Sequence, residues 1–236
     1  MSADAVSVPC DVMQDLFRSK MVPTSSGGTK PLGANIPARY AEVLYKTVLT
    51  ESPKIVIEIG MAYGVSSLAI LAGLRDAGNG GRLISIDPAQ TEFWDTTGLI
   101  NVERAGHAER HQLIEMKSYE ALPQLLSEKV PVEFAYIDGW HTFDYTLIDF
   151  FYTDKLLPVG GVVAFNDSGY RAIHKVIKYV RTHRHYDAMD VGLKPDYKAR
   201  NPLFSVVKRL EGRSNSDRYF RKADDWEPNW NFYAGF

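Results

Sequence analysis

Two predicted β-strands end in side chains that are suited to binding a hard metal cation. The apolar run 132–137 is followed by Asp138, and the run 161–165 is followed by Asn166 and Asp167. We expect the two strands to be neighbours in one sheet, which would bring their carboxyl ends together. Two carboxylates and an amide oxygen form a partial ligand shell for Mg²⁺ and leave positions for water and substrate. The sequence therefore predicts a magnesium site at Asp138, Asn166 and Asp167.

A histidine stands three residues after Asp138, where it could accept a proton. An imidazole with an unperturbed pKa of about 6.5 is suited to taking a hydroxyl proton near neutral pH. A hydroxyl group is a weak nucleophile until that proton leaves. Asp138 and His141 are therefore the candidate catalytic residues. The other histidines are interpreted as structural or solvent-exposed: His107, His111, His174, His183 and His185.

A second polar site is predicted where the apolar run 54–59 ends in a glycine-containing turn. Gly60 and Gly64 have no Cβ, so the backbone can turn sharply and approach a ligand closely. The second glycine of the dinucleotide pattern G-x-G-x-x-G is missing, which favours a ligand without a pyrophosphate. Glu58 would repel a pyrophosphate but suits the ammonium group of a bound amino acid. Asp87, at the end of the next strand, is placed to accept both hydroxyls of a ribose.

These residues must be positioned by a regular alternation of strands and helices. Strands this apolar, separated by helices, indicate a parallel sheet covered on both faces, which is typical of a doubly wound α/β fold. The segment 23–33 reads as a loop, the segment 202–210 as a late strand, and the chain from 217 onward as an aromatic, irregular tail. The predicted strands are 54–59, 82–86, 111–116, 132–137 and 161–165, and the predicted helices are 11–20, 37–50, 65–77, 119–128, 142–154 and 170–182.

The turn after the first of these strands carries a family resemblance. The segment 58–66, E-I-G-M-A-Y-G-V-S, resembles the corresponding segment of class I methyltransferases, and in particular of the small O-methyltransferases related to catechol O-methyltransferase. The resemblance implies that the cofactor is S-adenosylmethionine. Its methionine portion, ribose and adenine would each contact different residues. The cofactor-binding residues assigned in this way are Glu58, Gly60, Gly64, Ser66, Asp87, Ser118, Tyr119 and Asp138.

Roles within that set also follow from the resemblance. It implies that Glu58, Gly60 and Ser66 hold the methionine portion and that Asp87 holds the ribose. Ser118 and Tyr119 would lie near the adenine. A helix N-cap is an equally good interpretation of Ser118.

The segment 134–150 resembles the I-D-G-x-H-x-Y-x-x-V-x-x-D pattern of a bacterial family that includes macrocin-type sugar O-methyltransferases. Asp138, Gly139, His141 and Asp149 match, whereas Phe143 replaces the usual tyrosine. The residues 156–167 resemble the segment that follows in that family, which usually has two acidic residues where this chain has Asn166 and Asp167. The implied activity is magnesium-assisted O-methylation of a hydroxyl on a small molecule or a sugar-containing natural product.

The same resemblance implies the architecture. We expect a Rossmann-like methyltransferase fold with a seven-stranded, mostly parallel sheet, N-terminal helices and a late antiparallel hairpin. Residues 1–236 would form a single domain, divided into an N-terminal helix and loop (1–36), a core (37–210) and an aromatic C-terminal tail (211–236). The tail aromatics could line an acceptor pocket, or they could pack against the sheet edge or a subunit interface.

Composition narrows the expected location and partners. The 236 residues carry a formal net charge of −2 and one cysteine, Cys10, which predicts neither a nucleic-acid partner nor a disulfide framework. No apolar run is long enough to span a bilayer, and the N-terminus does not resemble a secretory signal. We therefore predict a cytoplasmic protein that acts on a small-molecule acceptor without a membrane partner. The oligomeric state stays open, with a homo-oligomer as one expectation, since the family often assembles.

Other classes of protein remain as alternatives. One is a metal-independent O- or N-methyltransferase in which His141 acts as the base. A nicotinamide-dependent oxidoreductase of the same layered fold is disfavoured by the missing dinucleotide glycine. The third alternative is a non-catalytic nucleoside-binding or assembly protein, for which the residues around Asp138 would have no chemical role.

Overall fold

The computed structural model describes residues 7–236, so the first six residues of the predicted segment 1–36 lie outside the described part. The chain forms two compact units, one ending at Ala121 and the other beginning at Leu122. The elements follow in the order α1 (Asp11–Ser19), β1 (Met21–Pro23), β2 (Thr29–Pro31), α2 (Ala38–Glu51), β3 (Ile55–Ile59), α3 (Val65–Ala77), β4 (Arg82–Ile86), α4 (Thr97–Arg104), β5 (His111–Ile114), α5 (Ser118–Ser127), β6 (Phe134–Ile137), α6 (Phe143–Leu156), β7 (Val162–Phe165), α7 (Arg171–His183), β8 (Tyr186–Ala188), α8 (Pro202–Leu210) and β9 (Arg218–Lys222).

Seven strands form the expected mostly parallel sheet, which confirms the α/β fold class. In the first unit β3 pairs in parallel with β4, and β4 pairs in parallel with β5. In the second unit β6 and β7 are parallel, whereas β9 runs antiparallel to both β7 and β8. The pair of β8 and β9 is the late antiparallel hairpin. β1 and β2 form a separate two-stranded ribbon within the segment that was predicted as a loop.

Burial explains why the sequence pattern of the central strands was easy to interpret. Every residue of β6 and β7 is buried, as expected for strands that are covered on both faces. Helix α3 is buried along Val65–Leu74, so it is apolar on nearly all sides rather than along one stripe. Across residues 7–236, no helix combines the length and the apolar character that crossing a bilayer would require.

The prediction of a strand at 202–210 is wrong, because this segment is helix α8. Its apolar residues recur at Leu203, Val206, Val207 and Leu210, which is helical spacing. Asn201 caps the helix by accepting a hydrogen bond of 2.9 Å from the backbone N–H of Leu203, and Pro202 occupies the first turn.

The late strand lies in the region that was predicted to be irregular. β9 begins one residue after Asp217 and pairs with both β7 and β8. Within 211–236, the segment Arg218–Lys222 is therefore part of the sheet. Helix α4 was also missed, since it is short and carries few apolar residues.

Helices α2 and α3 approach closely at Gly73, and this contact generates a stability prediction. A Cβ at Gly73 would lie 2.9 Å from the Tyr45 carbonyl oxygen and 3.0 Å from the Val48 side chain. We expect Gly73→Ala to lower the free energy of unfolding by about 1–2 kcal/mol, because overpacking costs about 1–3 kcal/mol and the gain in helix propensity is at most about 1 kcal/mol. Urea unfolding measures the difference. Gly33→Ala is the control, since nothing lies within 4 Å of that Cβ position; equal stability of the two variants would contradict the packing argument.

Candidate active site

In the first unit, the turn after β3 depends on its glycines. Gly60 and Gly64 have φ angles of 90° and 80°, in the left-handed region that favours glycine. The Gly60 N–H donates to the Ile86 carbonyl at 2.9 Å, which ties the turn to the end of β4. A Cβ at Gly64 would lie 3.1 Å from the Gly98 carbonyl oxygen. The turn is therefore a close-packed structure that a larger residue would distort.

Asp87, which follows β4, is hydrogen-bonded to this turn. Its Oδ2 accepts hydrogen bonds from the backbone N–H groups of Met61 at 3.0 Å and Ala62 at 2.8 Å. Its Oδ1 accepts from the Ala89 N–H at 2.9 Å. A carboxylate has about four acceptor positions, so Oδ1 keeps the capacity to accept a ribose hydroxyl. The chemistry of this donor and acceptor set fits the ribose end of a nucleoside.

Gln90 also stabilises the turn. The sequence analysis did not identify this residue. Its Nε2 donates to the Ala62 carbonyl at 2.8 Å and approaches Asp87 Oδ2 at 3.2 Å. A glutamine three residues after a strand-end aspartate was the available signal. The side chain is completely buried, so its role is to position Asp87 and the turn.

Glu58 lies inside the sheet layer and not on the surface of the turn. It is fully buried, and its Oε2 accepts hydrogen bonds from the hydroxyls of Ser67 at 2.6 Å and Ser85 at 2.7 Å. The register places Glu58 directly beside Ser85, and His111 Nε2 lies 2.9 Å from the Ser85 hydroxyl oxygen. Ser66, on the first turn of α3, is also buried. The predicted contact of Glu58 with an ammonium group stays a prediction.

Ser118 and Tyr119 begin helix α5. Ser118 is buried, whereas Tyr119 is partly exposed. The Lys117 ammonium lies 5.7 Å from the centroid of the Tyr119 ring, within the range of a cation–π contact. An exposed aromatic ring at this position is able to stack on a base, and the adenine contact stays a prediction.

In the second unit, three side chains converge at the ends of β6 and β7. His141 Nε2 lies 3.3 Å from Asp138 Oδ1 and 3.7 Å from Asp167 Oδ2. One potential ligand atom of each residue lies within 4.8 Å of the other two. We call Asp138, His141 and Asp167 the Asp138 cluster. Two carboxylates fit a hard cation, and the imidazole also suits transition metals.

The register of the sheet explains the convergence. Ile137 pairs with Phe165 across the parallel strands β6 and β7, so the residues that follow, Asp138 and Asn166, leave the sheet side by side. This confirms that the two strands are neighbours. Asp167 has a φ angle of 50°, an uncommon value for a residue other than glycine, and such backbone conformations cluster at functional sites.

Burial and mutual contacts shift the pKa values of the cluster. Burial raises the pKa of Asp138 to about 6, although the hydrogen bond from His141 acts in the opposite direction. The hydrogen bond to Asp138 raises the pKa of His141, and burial raises the pKa of Asp167. A proton on His141 Nε2 therefore lies between two carboxylates that stabilise it. The arrangement suits a group that takes a proton from a substrate.

Asn166 belongs to a buried hydrogen-bond network beside the Asp138 cluster. Its amide nitrogen donates to Asp217 Oδ1 at 3.0 Å and to the Tyr136 hydroxyl at 3.2 Å, and that hydroxyl donates to Asp217 Oδ2 at 2.9 Å. Because both hydrogens of the amide nitrogen are used, the amide oxygen points away from Asp217. The amide oxygen therefore keeps its capacity to accept a further contact.

Asp217 and Tyr136 were missed by the sequence analysis. Both are buried, and burial raises the pKa of Asp217 well above its usual range. Asp217 comes immediately before β9, and the register of β9 against β7 places it near Asn166. The only signal was an aspartate just before a run of aromatic and basic residues, and that run was interpreted as irregular.

One aromatic ring packs against the Asp138 cluster. The Tyr170 ring stacks on His141 with centroids 5.5 Å apart and an angle of 20° between the planes. Trp140, the residue before His141, is 71% exposed. The tail aromatics lie elsewhere in the unit: Trp226 stacks on His185, and Phe232 contacts His183 edge-on.

Comparison with known proteins gives a consistent result. A sequence model described as a methyltransferase domain matches residues 57–168. A search of curated proteins finds no match. The fold resembles that of an O-methyltransferase from Bacillus cereus in complex with S-adenosylhomocysteine, with a TM-score of 0.64, 18% identity, and coverage of 79% of this chain and 86% of that one.

Two further solved structures show the same fold. The cofactor-bound protein Rv0187 from MTB has a TM-score of 0.61 and 17% identity, and the alignment covers 80% of this chain and 82% of that one. The S-adenosylhomocysteine-bound methyltransferase PaMTH1 from Podospora anserina has a TM-score of 0.59 and 15% identity, with coverage of 81% and 80%. The chain therefore has the methyltransferase fold. Residues 57–168, which match the methyltransferase domain model, include the turn after β3 and the Asp138 cluster.

The buried Ser85–His111 contact generates a prediction for the first unit. Burial lowers the pKa of His111 to about 4, whereas the unfolded chain binds that proton near 6.5. The unfolded state thus holds more protons between these values, so the free energy of unfolding falls as the pH drops from about 6.5 to about 4. The loss from this residue is about 3 kcal/mol, at 1.36 kcal/mol per pKa unit.

His111→Gln removes the titrating ring and keeps a nitrogen donor for Ser85. Between pH 6.5 and pH 4 the free energy of unfolding should decrease in both proteins. We expect the decrease in the variant to be smaller than that in the wild type by about 3 kcal/mol. Urea unfolding at several pH values measures the two slopes. His185→Gln, at an exposed histidine, serves as the control. Parallel curves for the wild type and His111→Gln would show that the buried ring does not titrate in this way.

Proposed function

We propose that the chain transfers a methyl group from S-adenosylmethionine to a hydroxyl group of a small molecule or a sugar-containing natural product, with assistance from Mg²⁺. The observation that carries the proposal is the convergence of Asp138, His141 and Asp167 within 4.8 Å. Two carboxylates and a raised-pKa imidazole at adjacent strand ends provide both cation ligands and a proton acceptor. The single-domain organisation and the homo-oligomer stay predictions from the sequence.

The proposal assigns the cofactor to residues of the first unit. Asp87 would accept the ribose hydroxyls, and the turn between Gly60 and Gly64 would approach the methionine portion. Glu58 and Ser66 would contribute through the same turn, with Ser118 and Tyr119 beside the adenine. Supporting this assignment are the glycine φ angles and the acceptor capacity that remains on Asp87 Oδ1. Asp138 is assigned to the cofactor as well as to the metal.

The residues of the second unit would handle the acceptor. A bound Mg²⁺ ion supplies Lewis-acid stabilisation of the acceptor oxygen. Asp138, Asp167 and the amide oxygen of Asn166 would hold that ion. His141 would accept the hydroxyl proton at Nδ1, because its Nε2–H faces Asp138 and Asp167, whose carboxylates would stabilise the imidazolium. The C–O bond forms as the C–S⁺ bond breaks, and the sulfur keeps the electron pair of that bond, so the charges balance.

One observation favours the metal-independent alternative. His141 is already hydrogen-bonded to Asp138, and this pair has the geometry of a base held by a carboxylate. In this second candidate function His141 alone activates an oxygen or nitrogen nucleophile. The two candidates make different predictions for chelation.

The cofactor assignment predicts weaker binding when Asp87 loses its charge. We expect Asp87→Asn to raise the Kd for S-adenosylhomocysteine about tenfold to a hundredfold, because hydrogen bonds to a charged acceptor contribute about 1.5–3 kcal/mol. Isothermal titration calorimetry measures the Kd, and a thermal unfolding curve checks that the variant is folded. Glu92→Gln, an exposed change on the same unit, is the charge-matched control. An unchanged Kd in Asp87→Asn would refute the assignment.

The catalytic assignment predicts dependence on both the metal and His141. The assay measures S-adenosylhomocysteine released with a panel of phenols and glycosides. With an active acceptor, we expect excess chelator to abolish turnover and Mg²⁺ to restore it. We expect His141→Gln to lower kcat about 10²–10⁴-fold at saturating Mg²⁺. His185→Gln should retain full activity.

The outcomes distinguish the two candidates. Turnover that survives chelation but is lost in His141→Gln would favour the metal-independent methyltransferase. Turnover that survives both treatments would contradict both candidates. In that case the Asp138 cluster would have no part in methyl transfer.

A further inference from the structure

A cationic cavity lies in the second unit, apart from the side chains of the Asp138 cluster. It has a volume of about 140 Å³ and is bordered by helix α7 and by residues of the segment 211–218. Three of its lining side chains are cationic, namely Lys178, Arg181 and Arg218. The volume far exceeds the ~10–15 Å³ that a single water molecule needs. The cavity is therefore large enough for a small hydrated group.

The three cations are not neutralised by neighbouring carboxylates. Throughout the described range 7–236, Lys178, Arg181 and Arg218 make no salt bridge. Lys178 and Arg181 are exposed and Arg218 is half-buried, so all three charges are accessible to an anion from solvent. An anion in the cavity would interact favourably with all three.

One acidic side chain, Glu211, also lines the cavity, but it is already paired. Arg213 donates to its carboxylate from Nε, and Arg171 lies 3.7 Å away. The Arg213 hydrogen bond lowers the pKa of Glu211. Because Arg213 and Arg171 accompany this carboxylate, it does not offset the charge of the three unpaired cations.

His174 adds a further polar group to the cavity wall. Its Nε2 is buried and has no hydrogen-bond partner among the residues that the structure describes. A buried polar atom without a partner costs free energy, so a ligand that contacts it would bind favourably. Burial lowers the pKa of His174, and so do the nearby charges of Lys178, Arg213 and Arg218, whereas a hydrogen bond with the Glu211 backbone acts in the opposite direction. Lys178, Arg218 and the orphan nitrogen therefore face one space.

We infer that this cavity binds an oxyanion, either a phosphate or a carboxylate group. Guanidinium and ammonium groups are the side chains that bind such anions most strongly, and arginine can do so through two parallel hydrogen bonds. None of the lining residues is assigned to methyl transfer, so the inference does not depend on the proposed function. The anion has two possible sources, a free anion or an anionic group on a larger molecule such as the acceptor.

Phosphate binding by the purified full-length chain tests the inference. Isothermal titration calorimetry in a chloride buffer measures the Kd for inorganic phosphate. We expect Lys178→Gln and Arg181→Gln each to weaken binding about tenfold or more, because each removes a charge-assisted contact. The double variant should show no measurable binding. Both residues lie on α7, and neither supports another side chain through a salt bridge, so the variants should fold.

A matched control separates a specific site from general charge. Arg209→Gln removes one positive charge from an exposed position on α8 outside the cavity. Its Kd for phosphate should equal that of the wild type. The inference is overturned if the wild type does not bind millimolar phosphate, or if Arg209→Gln weakens binding as much as Arg181→Gln.

Phenyl phosphate distinguishes the two sources of the anion. A site for a free anion would bind inorganic phosphate and exclude the ester. A site for an anionic group on a larger molecule would bind phenyl phosphate at least as tightly as inorganic phosphate. In both cases Lys178→Gln should weaken binding of the anion. If Lys178→Gln binds either ligand as tightly as the wild type does, the proposed site is wrong. Because the assay uses neither S-adenosylmethionine nor an acceptor hydroxyl, its result is independent of the methyltransferase proposal.

Discussion

Buried carboxylates must find hydrogen-bond donors, and both units are organised around this requirement. Removing a carboxylate from water costs several kcal/mol unless donors replace the lost solvent. Glu58 finds two serine hydroxyls, and Asp87 finds the backbone N–H groups of the turn after β3. Asp217 finds Tyr136 and Asn166. Each carboxylate therefore fixes the conformation of the segment that supplies its donors. The polar sites that contain these segments are rigid for the same reason.

Asp138 differs from these three carboxylates because its environment is incompletely satisfied. Among residues 7–236, its only side-chain hydrogen-bond partner is His141, at the relatively long distance of 3.3 Å. Burial without sufficient donors raises its pKa to about 6, close to the values at which proton-transfer groups operate. The side chain keeps acceptor positions for a cation or a proton. The chemistry proposed for the second unit depends on this contrast between satisfied and unsatisfied carboxylates.

How far the sequence could be interpreted depended on the range of the interactions. The β3–α3–β4 segment was predicted closely because its apolar runs and glycines act locally, and the link from Asp87 to the turn follows from the parallel topology. The Tyr136–Asp217 contact joins residues 81 positions apart and required the register of β9, which no local pattern reveals. The segment 202–210 was misassigned because its apolar content was given more weight than its helical spacing.

The amide at position 166 also restricts which sequences this fold can accept. Asn166 Nδ2 lies 3.0 Å from Asp217 Oδ1, so an aspartate at 166 would bring two buried carboxylates into contact. Such a pair cannot ionise fully, since like charges at this separation force one of them to keep a proton. With an acidic residue at 217, the usual acidic pair of the resembling family would therefore require a proton shared between positions 166 and 217. The two positions form a coupled pair, in which a substitution at one changes what is tolerated at the other.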